Sequence, residues 1–164
     1  MYSSVIILMT PKSAGRFEEA GTEWKRAVEL QPTDLYRHLL YAVCLHHTRG
    51  GRAAKEHIAE LTKDLEDDTW IVPVLRFYAG EIEEEEVWAA VQDSVPEKLT
   101  EKQCEAFYYL GVAHLLGMDA IERVEPDTTK ATDYFEKCLA TKKVGFVEYG
   151  LAAAALERLS TAAN

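Results

Sequence analysis

Apolar residues recur along most of this chain at steps of three and four, the spacing that lines one face of an α-helix. The clearest case runs from residue 104 to 139. Phe107, Leu110, Gly111, His114 and Leu115 share one face of a helix. Ala131, Phe135, Cys138 and Leu139 share one face of a second, which begins near Thr128 and Thr129 after Pro126 and Asp127. Gly111 inside the first face costs about 1 kcal/mol of helix propensity. With no side chain there, a second helix can come close. Two small residues flanking an aromatic on that second helix admit the neighbour and fill the remaining gap. The pattern predicts a tight helical hairpin. A hairpin in any helical bundle is the plain alternative.

The same reading divides the rest of the chain. Residues 15–32 predict a helix that Pro32 ends. Thr33 or Asp34 caps the next, to about Thr48, and Gly50 with Gly51 makes a turn. Residues 53–65 predict its partner. Asp67, Asp68 and Thr69 cap a short helix over 70–78, with Pro73 in its first turn and Gly80 at its end. Another short helix is expected over 83–93, its first turns holding Glu83 to Glu86 where the helix dipole favours acids. Residues 96–99 read as a loop. Thr100 is the expected cap of the central helix, with Gln103 completing a capping box. A last helix spans 146–160, with Leu151, Ala155 and Leu159 packed back. At least seven helices are expected, and no sheet beyond the first dozen residues. Ala20, Trp24, Ala27, Leu110, Gly111, Ala131 and Phe135 should be buried at helix contacts. Residues 1–14 fit less well. Their apolar run is short and Pro11 stops it, so a strand or truncated helix is expected, and a secretory signal is not.

Copies of the hairpin pattern follow one another. Ala20, Trp24 and Ala27 repeat the spacing of Ala131, Phe135 and Cys138, and Ala54, Ile58 and Leu61 repeat it more loosely. Ala42 and Leu45 repeat Gly111 and His114. Ala20 and Ala54 lie 34 residues apart, the period of a tetratricopeptide array. With Gly15 and Pro32 added, the chain resembles the tetratricopeptide repeat (TPR) superfamily. A narrower resemblance covers residues 70–159. Trp70, Pro73, Val74, Phe77, Tyr78, Gly80, Val87, Trp88, the run from Cys104 to Gly111, and Phe146 to Tyr149 look like the C-terminal half of bacterial NlpI-type TPR adaptors. The chain departs from that family's lipoprotein members in lacking a lipid-attachment cysteine near its start, and in an insertion over residues 117–127.

The resemblance implies an all-α fold of antiparallel helix pairs stacked as a right-handed superhelix with an incomplete first repeat. One domain would cover 1–164: an atypical segment 1–14, repeats over 15–66, a short helix pair over 67–95, a repeat over 100–142 carrying the insertion, and a capping helix over 144–160. In such arrays the first helix of each pair lines a concave groove. That places Tyr36, Leu39, Val43 and His46 in one pair, and Glu105, Tyr108, Val112 and Leu115 in another, as the expected partner-binding groove. Neither set contains the Lys, Arg and Asn clamp that holds a chaperone's C-terminal carboxylate. The groove is apolar and suits an amphipathic helix, another subunit or the chain's own last helix. The implied function is a non-enzymatic scaffold or adaptor for a protein or peptide partner. A fixed subunit of a larger complex, including a homo-oligomer, is the alternative.

Composition narrows the function classes. The formal net charge is −10, which argues against nucleic-acid binding and against adsorption to anionic lipid. No apolar run reaches the about 18 residues a membrane span needs. The expected location is cytoplasmic, with the periplasm or an organelle left open if the chain is a piece of a longer protein. No cofactor or metal is expected. His38, Cys44, His46, His47 and His57 lack zinc-site spacing. Cys44, Cys104 and Cys138 read as small buried hydrophobes. The Glu81 to Glu86 cluster lacks calcium-loop spacing and reads as a solvated helix start. His114, where the TPR pattern carries an aromatic, reads as a hydrogen-bonded packing residue, with a pH-sensitive joint as the sharper alternative. No phosphate loop or nucleophile elbow is present. An enzyme or metal protein on a helical fold is the remaining minor reading.

Overall fold

The computed structural model describes residues 14–66, 69–118 and 125–162, and among these it holds eight helices and no strand. They are α1 (Ala14–Leu30), α2 (Leu35–Arg49), α3 (Gly51–Thr62), α4 (Val72–Ala79), α5 (Glu84–Ala90), α6 (Pro96–Leu116), α7 (Thr128–Ala140) and α8 (Val147–Ala162). The expected all-α class is therefore observed. The chain divides into two compact units, Met1–Ala79 and Gly80–Asn164. The expected short helix pair over 67–95 is split by that boundary, α4 belonging to the first unit and α5 to the second.

In the first unit α2 packs between α1 and α3, and α3 packs on α4. Asp34 caps α2, its carboxylate accepting from the Arg37 backbone N–H, while Arg37 Nε donates back at 2.7 Å. Arg37 also donates to the Ala27 carbonyl at 3.3 Å, tying α2 to the end of α1. Ala20 and Trp24 face inward and are buried, whereas Ala27 is only half-buried. A Cβ added to Gly21 would stand 3.6 Å from the Cys44 Cβ, so α1 and α2 lie close at that level. Gly50, at φ 88°, allows the chain to reverse between α2 and α3. Ala42, Ala54 and Ile58 are fully buried, and Leu61 is half-buried.

In the second unit α6 packs on both α7 and α8, and α7 packs on α8. The Gly111 reading holds in detail. A Cβ there would sit 2.8 Å and 3.0 Å from the Phe135 ring and 3.3 Å from the Tyr134 Cβ. Leu110, Ala131, Phe135 and Cys138 around it have no exposed surface. Gly117 closes α6 in the left-handed conformation at φ 64°. The Met118 N–H bonds the Ala113 carbonyl at 2.8 Å and the Gly117 N–H bonds that of His114, a Schellman arrangement. The Asp127 N–H returns to the same His114 carbonyl at 2.9 Å. The inserted segment thus leaves and rejoins the chain at one end of α6. Asp127 then caps α7 by accepting from the Lys130 N–H.

Several boundaries differ from expectation. Helix α6 begins at Pro96, not after Thr100. Pro96 occupies the first turn, where its missing N–H costs nothing, and the Thr100 hydroxyl donates to the Pro96 carbonyl instead of capping. The capping box lies at Glu83 and Glu86, whose side chains exchange bonds with each other's backbone at the start of α5. Helix α5 stops at Ala90, short of the expected 93, and α8 continues to Ala162, past the expected end at 160. The expectations for residues 1–13, for capping by Asp67 and Asp68, and for the part of the insertion over residues 119–124 lie outside the described residues. Among the described residues no helix is long and apolar enough to cross a membrane.

The Gly111 contact gives a direct test. Gly111→Ala gains about 1 kcal/mol of helix propensity, yet its methyl meets a buried ring. Overpacking of this kind costs typically about 1–3 kcal/mol. Gly111→Ala should therefore be neutral to destabilising by denaturant titration, and Gly111→Leu clearly destabilising. Adding Phe135→Leu to Gly111→Ala should remove the clash, so the two changes together should cost less than the sum of the singles. Simple additivity would disprove the contact.

Candidate functional site

The eight expected groove residues fall in two sets, Tyr36 to His46 on α2 in the first unit and Glu105 to Leu115 on α6 in the second. Leu39, Val43, Tyr108 and Val112 are buried, at 0%, 5%, 3% and 1% exposure, and so serve packing. Tyr36, His46, Glu105 and Leu115 are half-buried and keep accessible surface. Trp24 is buried as expected, and its indole N–H has no hydrogen-bond partner among the described residues.

The densest polar constellation was not legible in the sequence. Glu84, in the first turn of α5, is not solvated, its side chain being only 16% exposed. Four donors converge on it. His114 Nε2 on α6 donates to Oε2 at 2.7 Å, and Lys130 Nζ on α7 donates to the same oxygen at 2.9 Å. Trp88 Nε1, one turn along α5, donates to Oε1 at 3.2 Å, and the Tyr134 hydroxyl on α7 makes a short bond to that oxygen. A carboxylate offers about four lone-pair positions, so this one is saturated. Burial pushes the Glu84 carboxyl up, but the bonds from His114, Tyr134, Lys130 and Trp88 outweigh it and hold the group well below the usual carboxylate range. Trp88, Phe107 and Tyr134 pack ring against ring beside it, with centroids 4.9–6.0 Å apart.

This arrangement resembles a catalytic cluster in its residue types and differs from one in its chemistry. A general base needs a free lone pair and a pKa near the working pH. Glu84 has neither. What it does is fasten α5 to α6 and α7. His114 is thereby the hydrogen-bonded packing residue of the first alternative, fixed with its proton on Nε2. The signals in the sequence were the four-residue spacings Glu84 to Trp88 and Lys130 to Tyr134. Neither reveals that the two pairs meet.

Two further polar ties are built into the packing. The Tyr109 hydroxyl on α6 donates to Glu148 Oε1 at 3.1 Å, and Glu148, in the first turn of α8, is 8% exposed. Burial pushes its carboxyl up. In the first unit His38 Nδ1 and His57 Nε2 lie 3.1 Å apart, and His38 Nε2 donates to the Pro32 carbonyl at 2.9 Å. His38 Nδ1 therefore accepts from His57. The Tyr41 ring meets His57 edge-on at 4.9 Å. Burial, with the neighbouring His38, lowers the His57 pKa to about 4.

No group of three or more His, Cys, Asp or Glu among the described residues could hold a metal ion. An open groove of about 510 Å³ between α7 and α8 is lined by Thr132, Glu136, Leu156, Glu157, Leu159 and Ser160. No protein-family model, curated protein or solved structure matches the chain.

Both networks have a pH signature. Glu84 titrates lower folded than unfolded, so its stabilisation is present above its ordinary value of 4.5 and is lost as pH falls below that. Glu84→Gln should cost about 1–3 kcal/mol at pH 7, because buried donors lose their charged acceptor, and it should flatten the loss of stability below pH 4.5. An unchanged urea midpoint at pH 7 would contradict the role. The His57 pKa is also depressed, so its contribution is present above 6.5 and declines as pH falls toward about 4. Thermal melts of the wild type should drop between pH 7 and 5, and His57→Gln should drop less. Equal drops would contradict the histidine pair.

Proposed function

We propose that the chain is a non-enzymatic scaffold or adaptor of the TPR type, with antiparallel helix pairs stacked as a right-handed array, that binds a polypeptide partner. One observation carries the reading. Gly111 seats against the Phe135 ring with Ala131 and Cys138 buried to either side, and that small–aromatic–small packing is the feature on which the TPR resemblance rests. Ala20 and Trp24 are buried in the same spacing on α1. The helix order of the second unit adds support, since α6 touches both its partner α7 and the following α8, as the first helix of a repeat does in a stacked array.

Each unit offers its own accessible part of the expected groove in this reading: Tyr36 and His46 on α2 in the first unit, and Glu105 and Leu115 on α6 in the second. Leu39, Val43, Tyr108 and Val112 lie beneath as support. An aromatic and an aliphatic side chain with partial exposure suit an amphipathic helix. The formal charge of −10 favours a partner with a basic face, through faster and salt-sensitive association.

Selection from a displayed library of amphipathic helical peptides tests this with no partner known in advance. Basic amphipathic ligands should be enriched, and their affinity should fall with added salt. Tyr36→Ala or Leu115→Ala should weaken binding by about 1–2 kcal/mol without changing the melting temperature. Trp24 and Tyr108 are unsuitable probes because both are buried. No enrichment, or ligands that ignore both substitutions, would overturn the proposal.

A further inference from the structure

A pair of thiols stands apart from the surfaces and networks above. Cys104 on α6 and Cys138 on α7 face each other with their sulfur atoms 3.6 Å apart. Cys138 Sγ donates to the Cys104 carbonyl at 3.3 Å. Both are fully buried. The third cysteine, Cys44, lies on α2 in the other unit, where burial raises its thiol to about 12. We propose that Cys104 and Cys138 are a redox pair that closes reversibly to an intramolecular disulfide by exchange with a small-molecule disulfide such as oxidised glutathione, stapling α6 to α7.

The geometry follows from the helix contact already described. Cys104 lies two turns before Gly111 on α6, and Cys138 lies one turn after Phe135 on α7. The close approach that Gly111 permits therefore brings both cysteines to the same seam. A disulfide needs its sulfur atoms about 2.05 Å apart, so the two must close by roughly 1.5 Å, within reach of side-chain rotation and a small shift of one helix. The thiols are also unequal. When Cys104 ionises, the Cys138 S–H can turn from the Cys104 carbonyl to the Cys104 sulfur, and that hydrogen bond lowers the Cys104 thiol, opposed by burial and aided by Thr141. Its contact with Cys104 and its burial push Cys138 up. Cys104 is thus the sulfur that ionises first.

The exchange balances in two steps. The Cys104 thiolate attacks one sulfur of glutathione disulfide. A Cys104–glutathione bond forms, the glutathione S–S bond breaks, and one glutathione thiolate leaves. Cys138 then gives up its proton and attacks the Cys104 sulfur, expelling the second glutathione thiolate. Two protein thiols are oxidised to one disulfide, one glutathione disulfide is reduced to two thiols, and the two thiol protons go to the leaving groups. Because both sulfurs are buried, exchange waits on local opening of the α6–α7 seam, so the reaction on folded protein should be slow and selective.

The test equilibrates the full chain, without denaturant, in glutathione buffers of increasing oxidised fraction. The remaining thiols are then alkylated in denaturant, and intact mass and peptide mapping are read. The expected product is a single species two mass units lighter than the reduced chain before alkylation, with Cys104 joined to Cys138 and Cys44 alkylated, reversed by excess reduced glutathione. Cys104→Ser or Cys138→Ser should abolish it. Should a serine variant fail to fold, the wild-type peptide map decides alone. Three alkylated cysteines at every buffer ratio, in protein that circular dichroism shows to be folded, would overturn the proposal. So would bridges that include Cys44, or bridges that form only in urea.

Discussion

The second unit depends on how closely α6 and α7 approach at Gly111. With the Phe135 ring where a Cβ would otherwise stand, the two helices come near enough for the other contacts of the unit to form. His114, one turn further along α6, reaches the Glu84 that Tyr134 and Lys130 reach from α7. Two turns back, Cys104 meets Cys138. Tyr109 is left free to bond Glu148 on α8. A bulkier residue at position 111 would disturb the Glu84 network and the cysteine pair together, since both need α6 and α7 at fixed separation. Interiors packed to this density transmit such a shift rather than absorb it.

Glu84, His114, Tyr109 and Glu148 of this unit are all hydrogen-bonded where they are buried, as burial demands. Glu84 is the extreme case, accepting from four side chains on three helices. A carboxylate with every lone pair engaged cannot exchange protons readily at neutral pH, so the same geometry that makes the network rigid removes it from catalysis. The His38–His57 pair plays a comparable part in the first unit. These are fastenings within each unit.

Helix periodicity, Gly111 and the cap at Asp34 were legible because each is a local signal with a fixed spacing, whereas the cap at Asp127 was not read as one. Helix ends without such a signal were not. Pro96 reads as a loop residue in isolation, yet it opens α6 because the first turn needs no N–H from it. Ala27 sits on the same helical stripe as Ala20 and Trp24 but near the end of α1, where its neighbours thin out. Glu84 was hidden for another reason. Its acidic surroundings describe a solvated helix start, and its partners lie 30 to 50 residues away in sequence. All eight expected groove residues fall on α2 and α6, yet the burial of Leu39, Val43, Tyr108 and Val112 depends on packing that a motif does not encode.

The contact at Gly111 can be observed without changing the sequence. Nuclear magnetic resonance of the folded chain should show nuclear Overhauser effects between the Gly111 Hα protons and the Phe135 ring protons. A ring-current shift of those Hα resonances away from ordinary helical glycine values should accompany them. Hα protons at ordinary values, with no cross-relaxation to the Phe135 ring, would contradict the account of how the second unit is held together.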